Sequence, residues 1–446
     1  MKNKTIKNAS IAKEQEKYNI LLNKQKQKLD NWNIGYEFCE KKYEIIDSVS
    51  DFSNGFRERF DWYVNEFNIK KNTENKVSIN RITNKKDREK VEFVCMVQSI
   101  VKTKNNNFIL TVEDTTGEIK ILINKNKKEL YEKGKTIFEE DVLYVKGTMG
   151  DNIVFVTEFE YLDYKGSDFN LINKTNTQKQ NIVFISDIHI GSDLFCEKEF
   201  LKFINWINDE SEKSIKYIII TGDLIEGIGI YQGQKEGLNI FNYKDQYKKA
   251  YELLSKINDR IKIIITPGNH DSISLVEPQS IFSEQHTLKL YEMENLVILP
   301  NPSNLILNNN SKRDEEKIKL LIYHGYSFDY YISNNDKIRK QGGYDRIDVL
   351  MDMMLERRHL SNTFKSNMLH PKLSRNSIIK EIPNIFVTGH FHSSIIKKKK
   401  KVYMINAGCW QRKTKFQEKL GHKPDPCKAV MFNIFTKKVK VLNFSS

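Results

Sequence analysis

The stretch NIVFISDIH, at residues 181–189, is a short apolar run that ends on two potential metal ligands, Asp187 and His189. Four later stretches repeat this pattern of a β-branched run followed by polar residues: YIIITGD (217–223), IIITPGNHD (263–271), LLIYHG (320–325) and IFVTGHFH (385–392). In a parallel α/β sheet, ligands collect outside the carboxyl ends of the strands. The five stretches therefore predict a layered α/β domain in which the strand ends meet at one polar site.

The polar residues at these strand ends are the donors that a two-metal phosphoesterase site requires. The candidate metal ligands are Asp187, His189, Asp223, Asn269, His324, His390 and His392. Mixed carboxylate and imidazole ligation suits Mn, Fe, Zn or Ni better than Mg or Ca. We therefore expect two divalent ions, with Mn²⁺ as the first choice and Fe, Zn or Ni as alternatives. Two such ions, roughly 3.5–4 Å apart, hold a phosphodiester and activate a water for its hydrolysis.

Two residues beside the ligands are candidates for proton transfer and its support. His270 directly follows the candidate ligand Asn269, which places it to protonate the leaving oxygen or to orient the phosphate. Asp271 is the candidate for orienting the His270 ring.

Upstream of the ligand-bearing strands, the sequence pattern changes several times. Alternating strands between residues 88 and 165 predict a five-stranded barrel of the OB type, and aromatic residues at helical spacing after residue 51 predict a helix that packs on the next domain. The predicted organisation is a polar, flexible N-terminal segment or frayed helix (1–50), a helical lead-in (51–87), an OB-fold domain (88–165), a polar linker (166–180) and a metallophosphoesterase domain (181–446).

The charge of the chain favours a polyanionic partner. The 446 residues carry a formal net charge of +14, and the pI is about 9.2. Such a protein attracts nucleic acid. The lysine run at residues 397–401 has two interpretations, a solvated hairpin tip or an edge of the active cleft that grips phosphates.

Cysteine use and hydropathy predict a cytoplasmic protein. The five cysteines are scattered and form no CxxC pair, which is typical of reduced thiols in a cytosol. The N-terminus lacks an apolar signal core, and no stretch reaches the about 18 apolar residues of a membrane span. We therefore expect no membrane association.

The motifs Asp187-x-His189, Gly222-Asp223, GNHD (268–271), His324 and GHFH (389–392) resemble those of the calcineurin-like metallophosphoesterase superfamily. The sequence between and around these motifs is similar to the small subunits of archaeal family D DNA polymerases. That similarity lies in VEDTTGEIKILI (112–123), GDLIEGIGIYQGQ (222–234), ERRHLSNTF (356–364) and NAGCWQRKTKFQ (406–417). The resemblance implies a 3′→5′ exonuclease that proofreads for a separate, larger polymerase subunit. It also implies DNA as substrate and makes a sliding clamp a further candidate partner.

The resemblance also implies a role for each site residue. One metal would take Asp187, His189, Asp223 and His392, the other would take Asp223, Asn269, His324 and His390, and His270 would be the catalytic histidine. Glu226 stands where related repair nucleases place a second histidine, so it is a candidate for a supporting carboxylate.

Two other functions remain open from the sequence. The chain could serve as a non-catalytic scaffold that stabilises the polymerase, although a complete ligand set argues against scaffolding alone. It could also be a stand-alone metallophosphoesterase, against which the barrel and the basic charge weigh. Whether the barrel itself touches DNA is left open by its pattern.

Overall fold

The computed structural model describes residues 2–42 (side chains from residue 12), 48–72, 78–171, 180–209, 214–419 and 421–445. The chain begins with α1 (Lys2–Asn31), β1 (Ile34–Phe38), α2 (Val49–Lys71) and α3 (Ile79–Thr83).

The next segment forms a closed five-stranded barrel, as the alternating pattern predicted. Its elements are β2 (Lys90–Lys102), β3 (Phe108–Asp114), β4 (Gly117–Ile123), α4 (Lys128–Gly134), β5 (Val142–Met149) and β6 (Ile153–Glu160). The strand order around the barrel is β2-β3-β4-β6-β5. Along β2, the alternate residues Val91, Phe93 and Cys95 are buried in the barrel core, since side chains two apart face the same side of a strand.

The phosphoesterase domain contains the remaining elements. Its first half comprises β7 (Asn181–Ile185), α5 (Glu197–Asn208), β8 (Ile215–Thr221), α6 (Tyr243–Leu254), β9 (Lys262–Thr266), α7 (Glu284–Glu292), β10 (Leu296–Ile298) and β11 (Ser303–Leu307). Its second half comprises β12 (Ile318–Ile322), α8 (Phe328–Ser333), α9 (Asp336–Lys340), α10 (Ile347–Arg357), β13 (Ile385–Thr388), β14 (Ser394–Lys399), β15 (Val402–Ala407), α11 (Lys415–Lys419), β16 (Lys428–Asn433) and β17 (Val439–Asn443). Short 3₁₀ helices span Gln234–Gly237, Asp314–Glu316, Gly343–Asp345 and Ser374–Ser377.

Two facing six-stranded sheets form the centre of this domain, with orders β10-β9-β8-β7-β16-β17 and β1-β11-β12-β13-β15-β14. Ile182 and Phe184 of β7 point into the core between the sheets, whereas Val183 and Ile185 face the helices outside. Both faces of the strand are apolar because each is buried in a core. The ligand-bearing strands are divided between the sheets: β7, β8 and β9 lie in one, β12 and β13 in the other.

The N-terminal segment contains a helix that docks on the phosphoesterase domain, which corrects our prediction of a flexible segment. Tyr18, Leu22 and Leu29 of α1 are buried in the cores of the phosphoesterase domain. β1 extends one of its sheets by pairing antiparallel with β11, from Ile34 opposite Leu307 onward. A narrow apolar stripe is enough for docking although most of the helix surface is polar. Residues 1 and 43–47, which fall within the same prediction, lie outside the described residues.

The aromatic helix α2 joins the barrel to the phosphoesterase domain. Phe60, Tyr63 and Phe67 are buried against barrel residues, as the spacing predicted. The Tyr63 hydroxyl donates to the carbonyl oxygen of Arg357 at the end of α10. Part of the helical lead-in, residues 73–77, lies outside the described residues.

The predicted linker over 166–180 is only partly described, because residues 172–179 lie outside the described residues. Its first part packs on the phosphoesterase domain rather than running free. Phe169 is buried in the core between the two sheets, and the Asn170 amide donates to the Glu315 carbonyl oxygen.

The lysine run occupies the tip of the β14–β15 hairpin, in agreement with the hairpin interpretation. The tip lies roughly 20 Å along the strand from His392, at about 3.3 Å per residue. Lys399, Lys400 and Lys401 pair with the protein's own carboxylates at 2.6, 2.6 and 2.8 Å. These pairs favour the hairpin interpretation, and phosphate binding by the run stays a prediction.

Candidate metal centre

The ligand residues follow the strand ends in a strained backbone conformation. Asp187, His189, Asp223, His390 and His392 all have positive φ, between 51° and 71°. Non-glycine residues rarely adopt this region, and each costs of order 1–3 kcal/mol unless its surroundings impose it. Backbone amides hold two of these side chains in place, since the His390 amide donates to Asp187 Oδ2 at 2.9 Å and the His270 amide donates to Asp223 Oδ1 at 2.8 Å.

Glycines precede several ligands because the site leaves no room for a side chain. A Cβ on Gly268 would lie 2.2 Å from Asp223 Oδ1, and one on Gly222 would lie 2.4 Å from His324 Nδ1. Gly222 also has a φ of +91°, which disfavours any L side chain. The glycines that make the sequence motif recognisable are thus required by close packing around the ligands.

The first group of candidate ligands consists of Asp187, His189 and His392. His392 Nε2 lies 3.0 Å from His189 Nε2 and 3.4 Å from Asp187 Oδ1. The three residues are almost fully buried. Burial alone would raise the pKa of Asp187, but hydrogen bonds from His189 and His392 outweigh it and hold that pKa well below its usual value.

The second group consists of Asp223, Asn269, His324 and His390. His324 Nε2 lies 2.9 Å from Asn269 Oδ1 and 3.3 Å from Asp223 Oδ2. The His390 ring packs edge to face on the His324 ring, with centroids 5.2 Å apart. Asp223 also connects the two groups, because its Oδ2 lies 3.9 Å from His189 Nε2. This carboxylate is thus placed to bridge two cations.

The donor set fits metal ions because lone pairs face one another. His324 Nδ1 lies 2.8 Å from the Thr221 carbonyl oxygen, which can only accept, so Nδ1 carries the ring proton of the neutral side chain. Nε2 then presents a lone pair toward the oxygens of Asn269 and Asp223, an arrangement that a cation stabilises. Without a metal ion, burial lowers the pKa of His324, but the charge of Asp223 more than offsets this and raises it to about 9, so a cation at Nε2 would take the place of a proton.

Glu226 supports the first group from behind. Its Oε2 lies 2.8 Å from His189 Nδ1, and this contact leaves His189 Nε2 facing the ligand group. Gln234 and Gln411 donate to the same carboxylate, at 2.9 and 2.8 Å. Burial raises the pKa of Glu226, but the contact with His189 outweighs it and lowers the pKa to about 2.

Asp329 supports the second group as Glu226 supports the first, and the sequence analysis did not predict it. Its Oδ2 lies 2.8 Å from His390 Nε2, which leaves His390 Nδ1 as the nitrogen for a metal. Asp329 lies in the first turn of α8, five residues after His324. Its only sequence signal is this position just beyond a ligand-bearing strand, which no motif distinguishes from other acidic helix starts.

His270 lies beside the first group, but the residue that orients it is not the one we predicted. Its Nδ1 lies 2.8 Å from the carbonyl oxygen of Glu226, and its ring packs edge to face on that of His189 with centroids 4.7 Å apart. Asp271 instead accepts hydrogen bonds from the backbone amides of Gly268 and Ile225, at 2.9 and 3.3 Å. It therefore fixes the loops that carry Asp223 and Asn269.

The structure brings all seven predicted ligands and His270 into one site. Comparison with known proteins identifies the domain that carries this site. Residues 180–394 match the family model for the calcineurin-like phosphoesterase.

Within the described residues, the helices lack the combination of length and hydropathy that a bilayer span needs.

Three curated relatives carry the description "DNA polymerase II small subunit". The protein from Methanothermobacter thermautotrophicus is 35% identical over 74% of this chain and 66% of its own length. The protein from Thermoplasma acidophilum is 31% identical over 90% and 79%, and the one from Pyrococcus abyssi is 30% identical over 91% and 64%. This chain thus spans just under two thirds of the first and third relatives. It belongs to the family of archaeal DNA polymerase II small subunits and carries a calcineurin-like phosphoesterase domain.

Proposed function

We propose that this protein is a metal-dependent 3′→5′ exonuclease that proofreads for a family D DNA polymerase. The observation that carries the proposal is the position of Asp223. Its carboxylate oxygen lies within 3.9 Å of His189 Nε2 and within 3.3 Å of His324 Nε2, between two otherwise separate ligand groups. Such a shared carboxylate is what a two-metal phosphodiesterase requires.

The proposed ligand sets are those that the family resemblance implies, and this geometry supports them. Asp187, His189, Asp223 and His392 would hold one ion, and Asp223, Asn269, His324 and His390 would hold the other. When bound, the two ions would supply positive charge for the phosphate and make hydroxide available near neutral pH. Mn²⁺ is the proposed native ion, since the mixed oxygen and imidazole donors suit it better than Mg²⁺.

His270 is the proposed catalytic residue. The carbonyl oxygen of Glu226 engages its Nδ1, so Nε2 is the ring nitrogen that remains for the substrate. In this position Nε2 either orients the phosphate or donates a proton to the leaving 3′ oxygen. The ring is half-buried at the edge of the metal centre, where a phosphodiester can reach it.

The proposed substrate is a single-stranded or frayed 3′ end. A mispaired end unpairs at a lower cost than a paired one, so an enzyme that acts on the unpaired strand removes errors preferentially. The net charge of +14 favours the approach of DNA. The proposed partner is the large catalytic subunit of the polymerase, on which this chain would also act as a scaffold. A sliding clamp is a further proposed partner.

A time course on a 5′-labelled oligonucleotide tests polarity and metal dependence together. With Mn²⁺ we expect a descending ladder of products, and with chelator we expect none. Asp187→Asn should abolish the ladder while circular dichroism and the unfolding midpoint stay near those of the wild type. An undiminished ladder in Asp187→Asn would refute the mechanism.

Two further observations separate the alternatives. Equal turnover of a small phosphodiester and of DNA would favour a stand-alone phosphoesterase. Anomalous scattering without metal in the cleft, together with copurification of a large polymerase subunit, would favour a scaffold alone.

A further inference from the structure

An exposed aromatic ring stands beside the metal centre and has no function in the mechanism above. Phe416 of α11 is 45% exposed, although a phenylalanine is normally buried. It stacks on Tyr231, with ring centroids 4.8 Å apart and planes 21° from parallel. The two rings therefore form a flat pair with one side available to solvent.

The pair is fixed to the residues that do the chemistry. The Tyr231 hydroxyl donates to Glu226 Oε1 at 3.2 Å, and the Tyr231 ring centroid lies 6.2 Å from that of His270. Gln417, next to Phe416, places its Nε2 2.9 Å from His392 Nδ1. The position of the aromatic pair relative to the reacting phosphate is thus set by Glu226 on one side and by a metal ligand on the other.

The charge around Phe416 indicates what binds there. The exposed residues of the segment 412–419 include four basic side chains and a single acidic one: Arg412, Lys413, Lys415, Lys419 and Glu418. A flat aromatic surface within a basic segment is the combination with which proteins bind unpaired nucleotides, because bases stack on the ring and phosphates pair with the cations.

We propose that Phe416 and Tyr231 form a stacking platform for an unpaired base next to the scissile phosphate. This inference rests on the proposed exonuclease function and extends it to the basis of selectivity. A base in an intact duplex already stacks on its neighbours, so its face is not available to Phe416. A frayed or single-stranded base has a free face, so it can stack on Phe416.

A structural alternative is that Phe416 merely anchors α11 by apolar contact with Tyr231. Leucine fills similar space but lacks a planar face, whereas tryptophan keeps one. Comparison of Phe416→Ala, Phe416→Leu and Phe416→Trp in the full chain therefore separates stacking from packing.

The first test measures binding without hydrolysis. In the Asp187→Asn background, a single-stranded oligonucleotide with 2-aminopurine at its 3′ end reports stacking by loss of fluorescence. We expect quenching with the parent and with Phe416→Trp. With Phe416→Ala or Phe416→Leu we expect weak quenching and a Kd increased by between about 5-fold and about 100-fold. Phe52→Ala is the matched control, because Phe52 is 41% exposed on α2 and its ring packs on Phe364.

The second test measures kcat/KM on two oligonucleotides that differ only in whether the 3′-terminal nucleotides carry bases. On the strand that carries all its bases, Phe416→Leu should lower kcat/KM by between about 5-fold and about 100-fold, as for the Kd. On the abasic strand, the wild type and Phe416→Leu should differ much less. A Phe416→Leu variant with wild-type quenching and wild-type kcat/KM would overturn the platform.

The exonuclease and the platform can be refuted independently of each other. A wild-type protein that cleaves a small phosphodiester but not DNA would refute the exonuclease, whereas the 2-aminopurine measurement would still decide the platform. A normal ladder with no effect of Phe416→Ala or Phe416→Leu would refute the platform and leave the exonuclease standing.

Discussion

Glu226 Oε2 lies 2.8 Å from His189 Nδ1, and this contact joins a buried carboxylate behind the metal centre to one of its ligand rings. The two oxygens of Glu226 also accept from Gln234, Gln411 and the hydroxyl of Tyr231. All of these partners donate to the carboxylate, and its negative charge strengthens each of these hydrogen bonds. It orients His189 and at the same time fixes the loop that carries the aromatic pair.

Glu226→Gln should therefore weaken metal binding without unfolding the protein. The substitution replaces an accepting oxygen with an NH₂ group that faces another donor. We expect the affinity for Mn²⁺ to fall about 10- to 100-fold, the usual effect of losing a carboxylate that supports a ligating histidine. Calorimetric titration of the metal-free protein with Mn²⁺ measures this change. Glu236→Gln, at an exposed position in the same loop, is the control. Unchanged affinity in Glu226→Gln would contradict a role in holding His189.

The strands and ligands of the site were predictable because their signals are local. An apolar strand such as β8 is followed directly by Gly222 and Asp223, and the close packing at Gly222 allows no other residue. The barrel was predictable for the same reason, since alternation within each strand reflects its own two faces.

The missed features depend on contacts between segments far apart in sequence. The docking of α1 relies on Leu22 and Leu29 within a largely polar helix, and the pairing of β1 with β11 joins residues more than 260 positions apart. The contact of Asp329 with His390 forms only because α8 folds back over the site. Asp271 looked like a partner of His270 because they are adjacent, but its carboxylate faces the backbone of the neighbouring loop.

His270→Ala should affect chemistry rather than metal binding. The side chain lies outside both ligand groups, and its Nδ1 meets only the carbonyl oxygen of Glu226 among its hydrogen-bond partners. Removal of a general acid typically costs 10²- to 10⁴-fold in rate. We expect kcat on a 5′-labelled strand to fall by about this factor while the Kd for Mn²⁺ changes less than about threefold. His286→Ala, which alters a half-buried histidine of α7, should keep wild-type kcat. A His270→Ala variant with wild-type kcat would exclude the residue from proton transfer.

The junction between barrel and phosphoesterase domain depends on a buried ion pair. Arg357 Nε lies 2.8 Å from Asp141 Oδ1, and both side chains are at most 4% exposed. Arg357→Met leaves the Asp141 carboxylate buried without its counter-charge, which should lower the free energy of unfolding by about 3–5 kcal/mol. Urea unfolding measures the loss. Adding Asp141→Asn removes the uncompensated charge and should recover part of the stability.

An exposed pair provides the control for that experiment. Arg375 Nη1 lies 4.0 Å from Glu58 Oε2, and the two side chains are 61% and 59% exposed, so Arg375→Met should cost less than about 1 kcal/mol. Equal losses in Arg375→Met and Arg357→Met would show that burial of the Asp141 charge does not determine the stability of the junction.

Glu277 should make stability depend on pH. Burial raises its pKa to about 7, although the Tyr323 hydroxyl donates to the carboxylate and partly offsets this effect. Below about pH 4.5 the carboxyl is protonated in both folded and unfolded chains, so its titration does not change the free energy of unfolding. As the pH rises to 7, the unfolded chain ionises first, and the free energy of unfolding falls; above pH 7 the loss is complete.

Glu277→Gln removes this titration and keeps an oxygen for the Tyr323 hydroxyl. Relative to the wild type, its free energy of unfolding should be about 2 kcal/mol more favourable at pH 8 than at pH 5, from the shift of the Glu277 pKa. Urea unfolding of both proteins at the two pH values gives this difference, in which titration of all other groups cancels. Glu284→Gln changes the same net charge at an exposed position and serves as the control. If the wild type and Glu277→Gln lose equal stability between pH 5 and pH 8, Glu277 is already ionised in the folded protein at pH 5.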